Sequence, residues 1–564
     1  MNPLGRPEGE YRNAGHEGMP MSPLGRPEGE YRSAGHEGMP MSPLSRHEGE
    51  YRNAGHEGMP VRPPGSPKGE YRNAQRDGAP VSATAANSAA KPPRLLAQLD
   101  ARLGHALARV NTAPQQRGKL QQAIGTLLRA SGIRAEVGEL CQLLDTRTGH
   151  EGQAEVIGFD GELVLMSPMG ALEGLSTATQ VLPTGRRHTV AVGDFALGRV
   201  LDGMGTHFLD DGPPLPSDAL RRAVSSGAPA ALLRRPIDEA FPVGITVVDA
   251  LLTCGVGQRI GIFAPAGCGK STLLSMLCRQ AEADVVVAAL VGERGREVSD
   301  FIHEALGEQA RARSVLVVAT SDRPATERLK AAFVATAHAE HFASRGMRVL
   351  LLVDSVTRLA RAAREIGLAA GEPPARRGFP PSVFTLLPQL FERAGNLATG
   401  SITAFYTVLE ETDDGADPVS EEVRSLLDGH FILSRKLAGK GHFPAVDVLQ
   451  SASRLFDRVV PPAQAQAARQ LREMLAKYDE VEVLLRIGEY RPGGDVLADL
   501  AVERREEIAQ FLQQSARSHA SMARSVEVLQ ALTARPSPGQ PDAMPPPATS
   551  PVGQGATSAG GQAR

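Results

Sequence analysis

Residues 264–272 read Ala264-Pro265-Ala266-Gly267-Cys268-Gly269-Lys270-Ser271-Thr272. An apolar run ends at Phe263, directly before this stretch, and a helical pattern starts at Leu273, directly after it. A strand, a glycine-bearing loop and a helix in that order form a phosphate cradle, because the loop N–H groups and the positive end of the helix dipole converge on the anion. We expect the Lys270 ammonium to reach the β- and γ-phosphates of a nucleotide and the Ser271 hydroxyl to ligate Mg²⁺. The predicted nucleotide-binding residues of this loop are Gly267, Cys268, Gly269, Lys270, Ser271 and Thr272.

The overall composition argues against several classes of protein. The chain has 564 residues, which predicts about three to four domains, and its formal net charge of −3 gives no general attraction to nucleic acid or anionic lipid. Its four cysteines show neither a C-x-x-C motif nor metal-ligand spacing, and a thiol inside the phosphate loop suits a reducing compartment. No apolar run approaches the roughly 18 residues that span a bilayer, and no signal-peptide pattern opens the chain. We therefore expect a cytoplasmic protein whose contact with a membrane is peripheral.

The two ends of the chain are predicted to be disordered. Residues 1–80 are four copies of a 20-residue unit that is polar and interrupted by Gly and Pro, so it has almost nothing to bury. The repeats fit an interaction arm, a regulatory tail or a tandem duplication without a role, and we favour the last. Because each of the first three units begins with Met, translation could also start at Met21 or Met41. Residues 81–93 are predicted to be a linker, and the Pro-, Gly-, Ser- and Ala-rich tail 534–564 is predicted to be disordered.

The hydrophobic pattern divides the remaining chain into four segments. Leucines near helical spacing predict a helical segment over 94–130. Short, closely spaced β runs predict a small β-barrel domain over 131–205. Between 220 and 455, apolar β-branched runs alternate with helical patterns, which is typical of an α/β domain whose parallel sheet is covered on both faces. An apolar stripe at helical spacing then predicts a helical domain over 456–533.

Two acidic residues follow apolar runs of the α/β segment. Asp354 ends the run that starts at Val349, and such an acid after the phosphate loop is typical of a group that holds the water shell of Mg²⁺. Glu293 follows the run 284–291 and is expected near the γ-phosphate, because parallel strands end at a common edge of the sheet. There it can polarise one water for attack on the phosphorus. Taken alone, the segment around Glu293 fits a charged turn after a strand equally well.

Several segments resemble one family. Residues 291–297, Val-Gly-Glu-Arg-Gly-Arg-Glu, are similar to the catalytic-glutamate segment of the rotary ATPases. Five further segments resemble the ATPases of bacterial type III secretion and flagellar export: 251–255, 354–358, 364–374, 377–384 and 422–430. The resemblance spans about residues 130 to 520 and implies an α/β, RecA-like P-loop NTPase core with a small β-barrel before it and a helical domain after it. The repeats and the tail lie outside the resemblance.

The same resemblance implies roles for individual residues. Glu293 matches the glutamate that activates water, while Arg294 and Arg358 match arginines around the γ-phosphate. Arg454 matches an arginine finger that reaches the nucleotide of a neighbouring subunit; without the resemblance, a surface salt bridge is the better interpretation of this residue. The catalytic set that follows is Glu293, Lys270, Arg294, Arg358 and Arg454, with Ser271 and Asp354 at the metal. Two aromatic residues match the family's clamp on adenine: Phe443, which Pro444 follows, and Tyr490. Core packing is the alternative interpretation of both rings.

The function implied by the resemblance is that of an ATP-hydrolysing, Mg²⁺-dependent motor for type III protein secretion. An arginine finger that acts in trans requires a ring with heterologous interfaces, here a homohexamer. The implied activity releases chaperones from export substrates and helps to unfold these substrates. The implied partners are the base, stalk and regulator proteins of the secretion apparatus, the export chaperones and effector substrates, and the inner membrane as a peripheral surface. Residues 267–274 look more like the branch that serves injectisomes than the flagellar branch.

Three alternatives stay open. The first is a flagellar protein export ATPase, which shares nearly all of these motifs. The second is an RNA-dependent hexameric ATPase similar to the transcription terminator Rho, which would need basic residues and exposed aromatics in the barrel. The only Phe, Tyr or Trp residues of the sequence between 130 and 200 are Phe159 and Phe195, so we expect no nucleic-acid partner. The third is a non-hydrolysing subunit of a rotary ATPase, and Glu293 argues against it.

Overall fold

The computed structural model describes residues 116–410 and 417–534. The predictions for the repeats, for the linker 81–93 and for the tail beyond residue 534 lie outside the described residues. So does the part of the predicted helical segment that precedes residue 116. No helix of the described residues is long and apolar enough to cross a membrane.

The first domain is a closed β-barrel with the strand order β1-β2-β5-β4-β3-β6. Strand β3 alternates between buried and more exposed residues, and the barrel interior is filled by side chains such as Leu128, Cys141 and Met166. The only Phe, Tyr or Trp in these strands is Phe159, which is exposed, whereas Phe195 lies beyond the barrel and packs on Phe208. The six strands are β1 Gly118–Ile124, β2 Leu127–Ser131, β3 Glu139–Asp145, β4 Glu151–Asp160, β5 Leu163–Pro168 and β6 Thr179–Arg187.

The helix predicted over 94–130 is wrong in its described part, because residues 118–131 form the hairpin β1–β2. Ile124 pairs with Leu127, which leaves a two-residue turn, and Gly125 adopts the left-handed φ of 55° that such a turn favours. The leucine spacing that suggested a helix does not extend to this hairpin. The barrel therefore occupies 118–187 instead of 131–205.

Residues after the barrel join the nucleotide-binding part of the chain. The run 188–193 was expected in the barrel, but its strand β7 pairs only with β9. Strand β8 is parallel to β14 and forms an edge of the large sheet, so this sheet starts before the predicted boundary at 220. The connecting strands are β7 Thr189–Ala191, β8 Val200–Asp202, β9 Arg221–Ala223, β10 Ala240–Phe241 and β11 Cys254–Gly255.

The large sheet has the strand order β19-β18-β12-β17-β15-β13-β14-β8, with β16 paired to β17. From β18 to β8 all neighbouring strands are parallel, and their residues are nearly all buried, because helices cover both faces. The carboxyl ends of these strands consequently lie at one edge of the sheet. The remaining strands are β12 Arg259–Ala264, β13 Val285–Val291, β14 Ser314–Ala319, β15 Arg348–Asp354, β16 Gly395–Asn396, β17 Ser401–Leu409, β18 Gly429–Ile432 and β19 Ala452–Ser453.

Helices α1–α9 belong to the sheet domain, and α10–α14 follow it. The helices are α1 Thr246–Leu251, α2 Lys270–Gln280, α3 Gly295–Asp300, α4 Glu308–Ala312, α5 Ala325–Ser344, α6 Val356–Ala369, α7 Pro381–Phe391, α8 Pro418–Leu426, α9 Arg435–Gly439, α10 Phe456–Val459, α11 Pro462–Ile487, α12 Val496–Glu503, α13 Arg505–Leu512 and α14 Met522–Thr533. The fold class is therefore the one expected: a barrel, an α/β domain with a parallel sheet and a helical domain.

Buried polar contacts attach the barrel to helix α5. The Lys330 ammonium lies 2.7 Å from a carboxylate oxygen of Glu155 on β4. The hydroxyls of Ser167 and Thr326 are hydrogen-bonded at 2.5 Å. Because the second pair is buried and the first is largely shielded from solvent, they fix the orientation of the barrel on the sheet domain as well as joining the two.

Candidate functional site

The phosphate loop connects the carboxyl end of β12 to the first residue of α2. Gly267 and Gly269 have left-handed φ angles of 81° and 82°, which glycine adopts without steric cost. Cys268 between them is buried, while Ser271 lies exposed in the first helical turn. The sequence motif therefore folds locally as expected, and no side chain caps the N-terminus of α2.

Lys270 is surrounded by carboxylates from two other strands. Its Nζ lies 3.1 Å from Oε1 of Glu293 and also forms an ion pair with Asp354. Glu293 comes two positions after Val291, the last residue of β13, and Asp354 is the last residue of β15. The three residues meet because β12, β13 and β15 are parallel and end at the same edge of the sheet.

Arg358 holds the other oxygen of Glu293, with Nη2 3.1 Å from Oε2. Arg358 lies in the first turn of α6, and its N–H donates to the hydroxyl of the N-cap residue Ser355. Gly292 makes room for this arginine, because a Cβ at that position would come within 3.0 Å of Arg358 Cδ. The Glu293 carboxylate is thus gripped from both sides by cations.

The electrostatics of Glu293 are set mainly by burial, since only 7% of the residue is exposed. Desolvation raises the pKa of the Glu293 carboxyl above its ordinary value, and the neighbouring Asp354 charge adds to the rise. The cations of Lys270 and Arg358 act in the opposite direction, to lower this pKa. A buried carboxylate with a raised pKa is a better proton acceptor than an exposed one, so the geometry suits a residue that activates water.

Thr407 is a part of this cluster that the sequence analysis missed. Its hydroxyl donates a hydrogen bond of 2.6 Å to Oδ1 of Asp354, and its side chain is fully buried. Thr407 belongs to β17, which lies between β12 and β15 in the sheet. The sequence predicts the strand, but strand order is not written in it, and this order alone makes Thr407 a neighbour of Asp354.

The predicted aromatic residues lie in different surroundings. The Phe443 ring contacts the phosphate loop, since a Cβ on Gly269 would come within 3.3 Å of ring carbons Cδ1 and Cε1. Phe443 is 41% exposed, and Pro444 follows it. The Tyr490 hydroxyl donates to Oδ1 of Asp499 at 2.6 Å, so its polar contact is made within the helical domain.

Arg294 and Arg454 do not join the buried cluster. The side chain of Arg294 is 77% exposed, and it pairs with Glu297 at 3.5 Å. Arg454 is also exposed, and its Nη2 donates to the carbonyl of Arg424.

The strand register places Arg454 at the far end of the sheet. Its N–H bonds to the Asp428 carbonyl, and the Asp428 N–H bonds to the carbonyl of Arg259, the first residue of β12. Strand β12 ends at Ala264, where the phosphate loop begins. Ala264 lies about 16 Å along the strand from Arg259, at a strand rise of about 3.3 Å per residue. Arg454 therefore lies at the opposite end of β12 from the phosphate loop of its own chain.

Comparison with known proteins gives the family. The model described as the ATP synthase alpha/beta family, nucleotide-binding domain, matches residues 244–453, and that of the beta-barrel domain matches 120–185. The model described as the T3SS EscN ATPase C-terminal domain matches 460–531. The type 3 secretion system ATPase of Xanthomonas euvesicatoria is 51% identical over 416 residues, which are 74% of this chain and 94% of that protein. The chain belongs to the type III secretion ATPase family.

Other relatives agree with this membership. The flagellum-specific ATP synthase of Bacillus subtilis is 44% identical over 74% of this chain and 95% of its own length, so the flagellar alternative is less supported. The solved structure of the assembled ATPase EscN from enteropathogenic E. coli is 46% identical, with a TM-score of 0.70 over 74% of this chain and all of that one. A second structure, of EscN in complex with its central stalk EscO, is 45% identical, with a TM-score of 0.68 and the same coverage of both chains.

As a member of the type III secretion ATPase family, the chain is an ATP-hydrolysing enzyme, as the sequence predicted. The matched models lie between residues 120 and 531, so the repeats are outside them. The donor set beside the phosphate loop, the Asp354 carboxylate and the Ser271 hydroxyl, fits Mg²⁺. This ion takes hard oxygen ligands and is usually held by one or two carboxylates together with water and substrate phosphates. The described residues hold no group of three or more His, Cys, Asp or Glu that could form a complete metal cage.

Proposed function

We propose that this chain is the hexameric motor that energises type III protein secretion, and that its hydrolytic centre is the cluster around Glu293. One observation carries the proposal: a buried carboxylate is held between Lys270 and Arg358, at 3.1 Å from each, beside a phosphate loop. This arrangement supports hydrolysis and not binding alone. Nucleotide binding needs only the phosphate loop and the carboxylate at the metal, whereas a further buried carboxylate, Glu293, serves to orient the attacking water.

Each residue has a distinct role in the proposed reaction. The loop N–H groups and Lys270 hold the β- and γ-phosphates of ATP, and the γ-phosphorus faces Glu293. Glu293 orients one water for in-line attack and accepts its proton, while the Arg358 cation keeps the carboxylate in place and offsets charge on the phosphoryl oxygens. When bound, Mg²⁺ neutralises phosphate charge, and Ser271 and Asp354 are the residues that would hold it. Phe443 and Pro444, with Tyr490, form the proposed adenine clamp.

Two arginines are proposed to act across a subunit boundary or at its edge. Arg454 is exposed and level with the first residue of β12, which supports a role at the nucleotide of another subunit in a ring. Arg294 is exposed directly after Glu293, where a neighbouring subunit or the γ-phosphate would give it a partner. The assembled relative EscN supports an oligomer, and the hexamer is the ring that the family resemblance implies.

The proposed partners follow from the same family. EscN is solved with its central stalk EscO, so we propose that this chain also binds a stalk protein. The wider proposal includes base and regulator proteins of the secretion apparatus, export chaperones and effector substrates, at a cytoplasmic site peripheral to the inner membrane. Hydrolysis would release chaperones from substrates and help to unfold them.

The Glu293→Gln variant tests the hydrolytic centre. We expect phosphate release to fall about 10²- to 10⁴-fold, because the amide cannot accept the proton, while ATP binding is kept. Glu304→Gln is the control, since Glu304 is an exposed glutamate that has no place in the proposed site. Undiminished phosphate release by Glu293→Gln would remove Glu293 from the centre.

A second measurement tests the proposed role in export. A chaperone–substrate complex is incubated with the wild-type protein and ATP, and free substrate is measured over time. We expect release with the wild type and none with Glu293→Gln. Equal release by both proteins would separate chaperone release from hydrolysis.

A further inference from the structure

The loop between α13 and α14 connects the helical domain to the sheet domain through hydrogen bonds. Its residues 513–521, which we call the bridging loop, form hydrogen bonds with several separate parts of the sheet domain. Arg279, in the last turn of α2, donates to the carbonyl of Ala516 at 2.6 Å. Gln280 next to it donates to the carbonyl of Ser518 at 2.7 Å. The helix that starts at the phosphate loop therefore ends on the bridging loop.

Gln514 forms the largest number of these contacts. Its side-chain oxygen accepts from the N–H of Thr246 at 2.8 Å, and its side-chain nitrogen donates to the carbonyl of Gly244 at 2.9 Å. The same nitrogen donates to the carbonyl of Ser518 at 2.8 Å, within the bridging loop. The Thr246 N–H is one of the first N–H groups of α1, whose N-cap provides no side-chain acceptor, so the Gln514 amide replaces a cap.

The main chain of Gln514 connects the side-chain contacts with Gly244 and Thr246 to the proposed nucleotide site. Its N–H donates to the carbonyl of Phe443 at 2.9 Å. The Phe443 ring in turn lies against Gly269, the last residue before α2. Phe443 is held by a residue of the helical domain, and the position of that residue is fixed by its own side chain.

We propose that Gln514 is a positioning residue for the adenine base, acting through Phe443. The side-chain amide anchors the bridging loop to Gly244 and Thr246, and the anchored main chain holds the Phe443 ring over the phosphate loop. The inference rests on the proposed role of Phe443 in the clamp. Loss of the amide leaves the phosphate cradle intact but lets the ring move, so it weakens ligands that carry a base and spares those that consist of phosphate alone.

The test compares Gln514→Ala with Gln513→Ala. Gln513 is the matched control, because it precedes Gln514 in the same loop and its side chain donates to the Ala509 carbonyl of the preceding helix α13 and not to the sheet domain. For Gln514→Ala we expect a rise of about three- to tenfold in KM for ATP and in Kd for ADP, with kcat retained. Inhibition by inorganic tripolyphosphate, which has no base, is expected to be unchanged. Gln513→Ala should match the wild type in all three measurements.

Two results would overturn the inference. Gln514→Ala could bind ADP as well as Gln513→Ala does, or it could lose affinity for ADP and tripolyphosphate equally, which would mean a loosened phosphate loop. If Gln514→Ala does not fold, Gln514→Glu is measured instead. That variant keeps the acceptor for Thr246 and loses both donated bonds, so weaker ADP binding with unchanged tripolyphosphate inhibition is again expected.

Phe443→Ala separates the inference from the proposal on which it rests. In the Phe443→Ala background, Gln514→Ala should weaken ADP binding no further, since both act through one ring. Additive losses would contradict this dependence. Unchanged ADP binding by Phe443→Ala alone would reject the clamp itself, whereas a loss with Phe443→Ala and none with Gln514→Ala would reject only the role of Gln514.

Discussion

The two ends of the large parallel sheet contrast sharply. At the carboxyl end, Lys270 and Arg358 pair with the buried carboxylates of Glu293 and Asp354 in a cluster within one chain. At the opposite end, Arg454 is exposed, and its guanidinium contacts a main-chain carbonyl. The fold thus assembles one part of the proposed site by itself and presents another part on a surface. The contrast supports a ring in which each chain completes the site of another.

The largest expected effect concerns the exposed end. Arg454→Ala should lose about 10³- to 10⁵-fold in kcat with little change in KM for ATP, since an arginine finger stabilises the transition state and not the bound substrate. Arg458→Ala, at an exposed arginine four residues further along, is the control. Steady-state phosphate release measures both variants. Normal turnover by Arg454→Ala would show that this end of the sheet does not contribute to the site of another subunit.

Mixing two inactive variants tests whether Arg454 acts on the site of a neighbouring subunit. When Glu293→Gln and Arg454→Ala proteins are combined, some subunits with an intact Glu293 meet a neighbour with an intact Arg454. We expect hydrolysis to return on mixing, because such a boundary has both groups. Mixtures that stay inactive would place both residues in one subunit's site.

Lys270→Ala tests the buried end. Because Lys270 is the cation proposed to hold the β- and γ-phosphates, we expect its loss to lower turnover by about 10²- to 10³-fold and to weaken ATP binding as well. Lys436→Ala is the control, because Lys436 is an exposed lysine that pairs with Glu482 on the helical domain. Turnover and ATP binding are measured together. Unchanged ATP binding would mean that Lys270 does not hold the phosphates.

Thr407→Val addresses a single bond of the buried end. A hydrogen bond to a charged group contributes about 1.5–3 kcal/mol, so we expect a loss of roughly 10- to 100-fold in kcat and a higher Mg²⁺ requirement. Thr403→Val on the same strand is the matched control, since its hydroxyl accepts from the Gly257 N–H and not from the cluster. An unchanged Mg²⁺ titration for Thr407→Val would show that its bond to Asp354 does not position the metal-binding carboxylate.

The smallest effect is a displacement of the pH profile. Burial raises the pKa of Glu293, and the Arg358 cation opposes the rise. In Arg358→Gln the opposition is removed, so the carboxylate becomes protonated at higher pH, and the acid limb of kcat/KM should move upward in pH. Arg296→Gln, at an exposed arginine paired with Asp300, should leave the limb in place. A limb that moves downward would contradict the assigned ion pair.

The sequence was most informative where structure is local. The phosphate loop was predictable because its glycines, its lysine and the start of α2 are neighbours along the chain. Glu293 and Asp354 were predictable because Asp354 ends an apolar strand, Glu293 follows another by two positions, and parallel strands share an edge. The β1–β2 hairpin was missed because leucine spacing further upstream was extended across a Gly-containing turn, although Gly125 carried the signal for that turn.

By itself the sequence determined the type of fold, the phosphate loop and the acidic residues at the strand ends, since periodicity, glycine conformation and strand ends are encoded locally. Tertiary structure alone decided that β17 brings Thr407 to Asp354 and that Arg454 lies level with the start of β12. It also decided that a loop of the helical domain brings Gln514 to Phe443. Strand order, register and domain contact depend on how distant parts of the chain pack, and that packing is a property of the whole folded molecule.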